Sequence, residues 1–333
     1  MSADVKQTIN DINAASPRDR ARLIDSAANQ TAARHFDLLR GSPDWQPQPP
    51  QTIPALANAA ICMMVKDEGD IIVQSLTHHY NLGFRRFFIL DNNSTDATPA
   101  LIADFRTRYQ DAGVFCASDY IVGHYQAVKM NALARFVETY LQYEEQKLEW
   151  LFFIDTDELI TCAGPDPVAS AAQLGAMLSN PTFNLIYFHW AQCASRTLLR
   201  SLQGQQDLFE AFPVVWPKMK VTVPKVAIRA GSALQVIQGN HGVESFPYPA
   251  QTAALAAAAG FYMFHFPNRS VEQLRRKLVN GNLALKSSAQ DAGIQNTAGH
   301  WRTYHEWYLK HGDAALEGIL REHITGCLEP VGG

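Results

Sequence analysis

Three carboxylates close an apolar run at Leu151-Phe152-Phe153-Ile154-Asp155-Thr156-Asp157-Glu158-Leu159. Large and β-branched residues flanked by Glu149 and Trp150 predict a buried central strand, with Asp155, Thr156 and Asp157 where it emerges. Uncompensated carboxylates are costly to bury, so the cluster demands a counter-charge, most economically a divalent cation. Two Asp residues one apart, followed by a Glu, suit a hard cation that bridges protein and phosphate oxygens. A strand-end turn leading into a helix N-terminus carries the same residue types without any chemistry. The rest of the chain must discriminate.

Other polar clusters follow apolar runs in the same way. Ala60-Ile61-Cys62-Met63-Met64-Val65 reads as a strand, then Lys66-Asp67-Glu68-Gly69 as a loop, then a helix with Ile72, Leu76 and His79 at helical spacing. Arg86-Phe87-Phe88-Ile89-Leu90 is a second strand, broken by Asp91-Asn92-Asn93-Ser94-Thr95-Asp96, and Thr98-Pro99 predicts the cap and first turn of the next helix. Gly113 to Cys116 predicts a third strand, and Ala127, Met130, Ala134, Val137 and Leu141 mark one face of a long helix before the acidic strand. Such alternation predicts an α/β fold with a mostly parallel central sheet flanked by helices. Ligands in such folds lie outside the carboxyl ends of the strands, so the loops after Val65, Leu90 and Ile154 should converge on one rim. No G-x-G-x-x-G or G-x-x-x-x-G-K-[ST] follows these strands, which argues against dinucleotide dehydrogenases and P-loop enzymes.

Beyond Thr161 the pattern loosens. Phe183 to Trp190, a Lys225-Val226-Ala227-Ile228 core within an irregular strand from Trp216 to Arg229, Val236 to Gly242 and Phe261 to Phe266 read as further strands of an acceptor-side half. Gln251 to Gly260 is Ala-rich, either a short helix capped by Gly260 or a mobile flap. Ser270-x-x-Gln273 is a capping box opening a helix with Arg275, Arg276 and Lys277. The tail carries Trp301, Tyr304, Trp307 and Tyr308 on a helix. Residues 1–54 read as two polar helices, Ala3 to Ala14 and one opened by Ser16-Pro17, and a Pro-rich connector pinned by Trp45. The main domain is expected over 55–285, with 286–333 a helical region packed upon it.

Composition narrows the class. The 333 residues, 47% of them hydrophobic, can bury a sizeable core. A net charge of −4 argues against nucleic-acid binding. Five Cys, none in C-x-x-C spacing, disfavour a disulfide framework or zinc site and fit a reducing cytosol. No leader pattern and no uncharged apolar stretch of about 18 residues appears, so a cytoplasmic protein is expected, with any membrane contact peripheral and at the inner face.

In their order these motifs resemble nucleotide-sugar-dependent glycosyltransferases of the GT-A fold, most closely the family-2-like and family-92-like branch. The likeness rests on Lys66-Asp67-Glu68, His79-Tyr80-Asn81-Leu82-Gly83, Asp91 to Asp96, Asp155-Thr156-Asp157-Glu158, Lys225 to Arg229, Asn240-His241-Gly242, and His265-Phe266-x-x-Arg269-Ser270-x-Glu272-Gln273, over roughly Ile61 to Gly281. It implies a GT-A, Rossmann-like sheet with an irregular C-terminal half and helical termini. It further implies transfer of a sugar, UDP-linked by default, to a saccharide or lipid-linked hydroxyl, with Mn2+ or Mg2+ stabilising the leaving diphosphate. By resemblance, Asp157 ligates the metal. Asp155 contacts ribose or metal, and Lys66, Glu68, Asp91 and Asn93 face base and ribose. Lys129, in Lys129-Met130-Asn131-Ala132-Leu133, and Lys225 stand near the phosphates. A late His, His241 or His265, joins the metal, with His241 favoured. An inverting mechanism needs a carboxylate base. The usual E-D pair is absent, which leaves Asp207 and Glu210, with Glu158 and Glu244 in reserve.

The same residues argue against rival readings. As a calcium loop, Asp91 to Ile102 lacks Gly at position six and Glu at position twelve. A haloacid-dehalogenase-like phosphatase also starts from a strand and D-x-D, but needs that strand early and Thr or Val where Leu159 stands. A nucleotide-sugar-binding protein without transfer is the non-enzymatic rival. His79 reads as a core histidine, His78 as surface, and Arg275-Arg276-Lys277 as a solvated face.

Overall fold

The structure, a computed structural model, describes residues 51–121, 125–164, 166–202, 207–215, 224–287 and 299–328. The N-terminal helices, Trp45 and most of the Pro-rich connector expected over 1–54 lie outside the described residues, as do 216–223 of the irregular strand. The first half alternates as expected: β1 (Ala59–Val65), α1 (Ile72–Leu82), β2 (Arg86–Asp91), α2 (Thr98–Arg108), β3 (Gly113–Ser118), α3 (Gln126–Tyr143) and β4 (Trp150–Phe153). The second half contains β5 (Glu158–Cys162), α4 (Pro167–Ser179), β6 (Leu185–Ala194), α5 (Leu208–Ala211), β7 (Val214–Val215) and β8 (Pro224–Arg229). Strands β9 (Ala253–Leu255) and β10 (Phe261–His265) then precede α6 (Val271–Ser287), α7 (Gly299–His311) and α8 (Asp313–Leu328).

Ten strands join in one sheet, ordered β3-β2-β1-β4-β8-β6-β10-β5, with β7 and β9 attached to β6. The block β3-β2-β1-β4 is wholly parallel. Antiparallel β8 sits between β4 and β6 and returns β6 to the direction of that block. Strand β6 belongs to both halves, pairing through Leu185–His189 with β8 and through Trp190–Gln192 with parallel β10. The class is therefore α/β with a mostly parallel sheet flanked by helices.

Residues of the buried strands alternate between two cores, as the pleat requires. Ile61, Met63, Phe87, Ile89 and Phe152 pack with α1, α2 and α4, whereas Ala60, Cys62, Phe88, Leu151 and Phe153 pack with α3. Leu274 and Leu278 of α6 meet Leu316, Ile319 and Leu320 of α8 in a separate cluster. No helix among the described residues is long and apolar enough to cross a membrane.

Several local readings change. The run Leu151 to Leu159 is two strands: β4 lies between β1 and β8, while β5 pairs antiparallel with β10 at the far edge. Asp155, Thr156 and Asp157 form the turn between them, closed by the Glu158 N–H on Asp155 O at 3.1 Å. Thr98 lies inside α2, and Asp96 acts as the cap by accepting the Thr98 N–H at 2.9 Å. The stretch Val236 to Gly242 is a bridge between Val236 and Val243 around one short turn. The Ala-rich segment resolves into β9 and a single turn, ended by Gly260 at φ 77°, where a Cβ would come within 2.9 Å of Ser170 Oγ.

Burial also fixes three histidines in the neutral form. His79 donates from Nδ1 to Ser75 O at 2.8 Å and accepts the Ile160 N–H on Nε2 at 3.3 Å, the core role expected of it. His78, read as surface, is half-buried and its Nε2 bonds Ile160 O at 2.8 Å. His189 is fully buried, and neither ring nitrogen has a hydrogen-bond partner among the described residues. Burial pushes the three down to about 3, 4 and 4 respectively from an ordinary 6.5. A depressed folded-state pKa means that the unfolded chain protonates first. The stability these groups contribute is therefore present above 6.5 and lost as pH falls toward the folded values. At about 1.4 kcal/mol per pH unit, the unfolding free energy of wild type relative to His189→Leu should fall by about 2 kcal/mol between about pH 7 and pH 5. Urea titrations at the two pH values measure it, and a constant difference would refute titration of His189.

Candidate active site

The loops after β1 and β2 are laced together before any ligand is considered. Asp67 at φ 54° and Asn93 at φ 59° take the left-handed conformation that Asp and Asn tolerate best. Asp67 Oδ1 accepts the Thr95 N–H at 2.6 Å, and the Asp67 N–H donates to Ser94 Oγ at 2.9 Å. Lys66 Nζ donates to Asn93 O at 2.9 Å, and the Glu68 N–H to Thr98 Oγ1 at 2.9 Å. Asp91 Oδ1 accepts the Ser94 N–H, closing the β2 turn. Asn92 reaches the next loop through Asp119, to which Lys129 is also paired at 2.6 Å.

The acidic turn faces those loops. A cavity of about 270 Å³ is lined by Lys66, Asp67, Glu68, Asn92, Gln126, Asp155, Thr156 and Asp157, and on its far side by Gln273, Arg276, Lys277 and Asn280 of α6. The loops after Val65, Leu90 and Ile154 thus contribute to one cleft. Its carboxylates are all held. Asp155 accepts Gln126 Nε2 at 3.0 Å on Oδ1 and Lys225 Nζ at 2.6 Å on Oδ2. Asp157 places Oδ1 3.7 Å from His265 Nε2, and Oδ2 3.0 Å from Lys277 Nζ and 3.6 Å from Arg269 Nη1. Burial opposes ionisation of Asp157, but Lys277, His265 and Arg269 outweigh it and hold its carboxyl well below the usual range.

Behind the turn lies a buried polar row. Glu158 is fully buried and accepts Trp190 Nε1 at 2.7 Å and the Asp155 N–H at 2.9 Å, with Lys225 Nζ at 3.3 Å. Burial pushes its carboxyl up to about 8, although every one of these partners is a donor that favours the anion. Lys225, 1% exposed, has its pKa raised: burial works against the charge, and Asp155 and Glu158 more than compensate. Trp190 stacks on His265 with centroids 4.2 Å apart and meets His241 edge-on at 5.1 Å. Arg269, fully buried, ties Glu68 and Asp70 to the acidic turn.

The predicted residues divide accordingly. Lys66, Glu68, Asp155 and Asp157 share the cleft; Lys225 and His265 stand directly behind it. Asp91 is buried in the adjoining turn, Asn93 is exposed, and Lys129 is engaged by the loop after β3. Asp207 caps α5, accepting the N–H groups of Phe209 and Glu210, and neither Asp207 nor Glu210 lines the cavity. Of the two late histidines, His265 lies against Asp157, whereas His241 Nδ1 bonds Pro224 O at 3.0 Å.

Sequence reasoning missed the α6 wall. Gln273, Arg276, Lys277 and Asn280 follow i, i+3, i+4, i+7 spacing, so one polar helical stripe was available as a signal. Reading Arg275-Arg276-Lys277 as a solvated face holds for Arg275, which pairs with Asp313, but not for Lys277.

The donor set fits a divalent cation. Among the described residues, Asp157, Glu158 and His265 each offer a ligand atom, all within 4.8 Å of one another. His265 Nδ1 is buried without a hydrogen-bond partner among those residues. Both Glu158 oxygens accept hydrogen bonds, whereas the Lys277 bond to Asp157 falls on Oδ2 and leaves Oδ1 toward His265, so Asp157 and His265 are the better-placed pair.

No protein-family model matches the sequence, and a search of curated proteins finds no match. Among solved structures, the chain is similar to a mannosyltransferase from Pyrobaculum calidifontis in complex with GDP-Man and Mn2+, at 12% identity over 92% of this chain and 86% of that one, TM-score 0.33. It is also similar to glucosyl-3-phosphoglycerate synthase from Mycobacterium tuberculosis. The complex with phosphoglyceric acid aligns at 14% identity over 75% of this chain and 87% of that one, TM-score 0.35. The complex with Mn2+, UDP-Glc and phosphoglyceric acid aligns at 16% over 76% and 88%, TM-score 0.34. Overlap at these scores is partial, and fold and site rest on the geometry above.

Removing the buried ammonium tests that geometry directly. Lys225→Met removes the counter-charge of the fully buried Glu158 and of the partly exposed Asp155 and is expected to destabilise the protein by about 3 kcal/mol. The urea midpoint reads this, and a midpoint equal to wild type would show that Lys225 does not hold the turn.

Proposed function

We propose that the protein is a metal-dependent glycosyltransferase of the GT-A type, moving a sugar from a nucleoside diphosphate, UDP by preference, to a hydroxyl of a saccharide or lipid-linked acceptor. A cytoplasmic role in polysaccharide biosynthesis, with inversion at the anomeric carbon, is part of the same reading. The observation that carries it is the meeting of Asp155, Asp157, Lys66 and Lys277 around one cleft at the ends of parallel strands, with His265 against Asp157 directly behind it.

Each group then has a task its position supports. Asp157 and His265 would hold Mn2+ or Mg2+, which supplies Lewis-acid stabilisation of charge on a leaving diphosphate. Lys66, Arg276 and Lys277 line the cleft and bring positive charge to phosphate oxygens. Asn92, on the loop after β2, lines the cleft and suits the hydroxyls of a ribose, with Asp91 buried in the turn behind it. Asp155, fixed by Gln126 and Lys225, keeps the turn in register while the cleft fills.

Thermal melts with UDP-, GDP-, CMP- and dTDP-sugars, with and without Mn2+, are expected to show stabilisation by one donor class only when metal is present. Asp157→Asn should abolish that metal-linked part, measured against the variant's own metal-free melt, and lower sugar transfer roughly 10²-fold or more in the folded variant. Wild-type transfer by the variant would remove Asp157 from the site. Donor binding by wild type without transfer to any acceptor would identify a binding protein, and phosphate release from a phosphomonoester would identify a phosphatase. The anomeric configuration of the product, read by NMR, decides inversion.

A further inference from the structure

Two cations neutralise Asp157, and they differ in freedom. Arg269 is fully buried and fixed by Glu68 and Asp70 as well as by Asp157. Lys277 reaches Asp157 Oδ2 and Pro267 O from the cleft wall at 3.0 and 3.3 Å, and its side chain is 28% exposed. The same ammonium lines the cavity in which the proposed donor would lie. An ammonium and a divalent cation cannot share one carboxylate without strong like-charge repulsion; the charge of Arg269 is matched by Glu68 and Asp70, so the ammonium is the cation that must be able to leave when a metal arrives. Only Lys277 has solvent-facing room to do so.

We infer that Lys277 is the exchangeable counter-ion of Asp157: it holds that carboxylate in the metal-free protein and turns to the diphosphate of the donor once a divalent cation takes Asp157. The inference rests on the nucleotide-sugar reading for its second half only. Its consequence is thermodynamic coupling. Metal alone binds against the Lys277–Asp157 ion pair, whereas metal with a nucleoside diphosphate gives the released ammonium a new partner. Each ligand therefore tightens the other by the same factor.

Calorimetric titration of MnCl2, and of UDP and GDP with and without MnCl2, tests this in wild type, Lys277→Met and Lys277→Arg, with melting curves confirming that all three are folded. Wild type is expected to show a coupling factor on the order of 10-fold or more. Lys277→Met should bind Mn2+ alone about 5-fold or more tighter, bind the nucleotide more weakly in the presence of metal, and lose most of the coupling. Lys277→Arg, keeping the charge, should retain coupling. Unchanged or weaker Mn2+ binding by Lys277→Met overturns the competition, and undiminished coupling overturns the hand-over. If wild type binds Mn2+ but neither nucleotide, the hand-over is overturned while the donor-sugar melts decide the nucleotide-sugar reading, and the metal-only arm still decides the competition. Failure of wild type to bind Mn2+ overturns both.

Discussion

One buried ammonium allows an acidic turn to exist at the end of β4. Lys225 is almost wholly removed from water, contacts Asp155 and Glu158, and donates to Gly239 O. A lone charge in that position would be untenable, and so would the two carboxylates without it. The strand that delivers Lys225 is β8, inserted antiparallel between β4 and β6. That interruption of the parallel sheet places the only fully buried Lys side chain among the described residues beside the turn. The irregularity of the second half is thus a requirement of the site.

The turn also couples the two halves of the sheet. Phe153 ends β4 beside β1, and Glu158 opens β5 beside β10, so Asp155 to Asp157 cross from one half to the other. Arg269 closes the same circuit from the opposite direction, joining the loop after β1 to the loop after β10 across 199 and 201 residues of sequence. Contacts of such separation form late and cooperatively, because loop closure must precede the reward. Cleft geometry is consequently a property of the complete domain and of no single β-loop-α unit.

How much of this the sequence disclosed follows from which interactions are local. Strand β1 and helices α1 to α3 were legible because apolar runs and helical spacing report directly on burial. The convergence of loops after Val65, Leu90 and Ile154 followed from the parallel topology they implied. Splitting of the Leu151–Leu159 run was not legible, since two short apolar strands on either side of a polar turn have the same pattern as one strand with a ragged end. Roles for Lys225 and Lys277 were hidden for another reason. A cation that neutralises a carboxylate 70 or 120 residues away leaves no periodic trace beside that carboxylate. His241 and His265 were equally hard to separate, because both follow apolar strands and only the sheet register sets His265 opposite Glu158.

Charge around the cleft explains why a metal belongs to the proposed chemistry. Asp67, Glu68, Asp70, Asp155, Asp157 and Glu158 face Lys66, Lys225, Arg269, Arg276 and Lys277. With all of them ionised, carboxylates exceed cations by one, and a nucleoside diphosphate would meet a cleft that repels it. Protonating Glu158, as its burial favours, brings the balance to neutrality, and protonating Glu68, which burial pushes up to about 7, adds at most one net positive charge. None of these states matches the charge of a nucleoside diphosphate. A divalent cation on Asp157 reverses the sign of the local field, and it does so where Lys66, Arg276 and Lys277 already line the wall. Residues that are fully buried, Lys225 and Arg269, cannot contribute to that reversal because their charges are matched within the framework. Donor capture therefore depends on the partly exposed cations and on the metal together, and the buried pairs serve to keep the acidic turn in place while that happens.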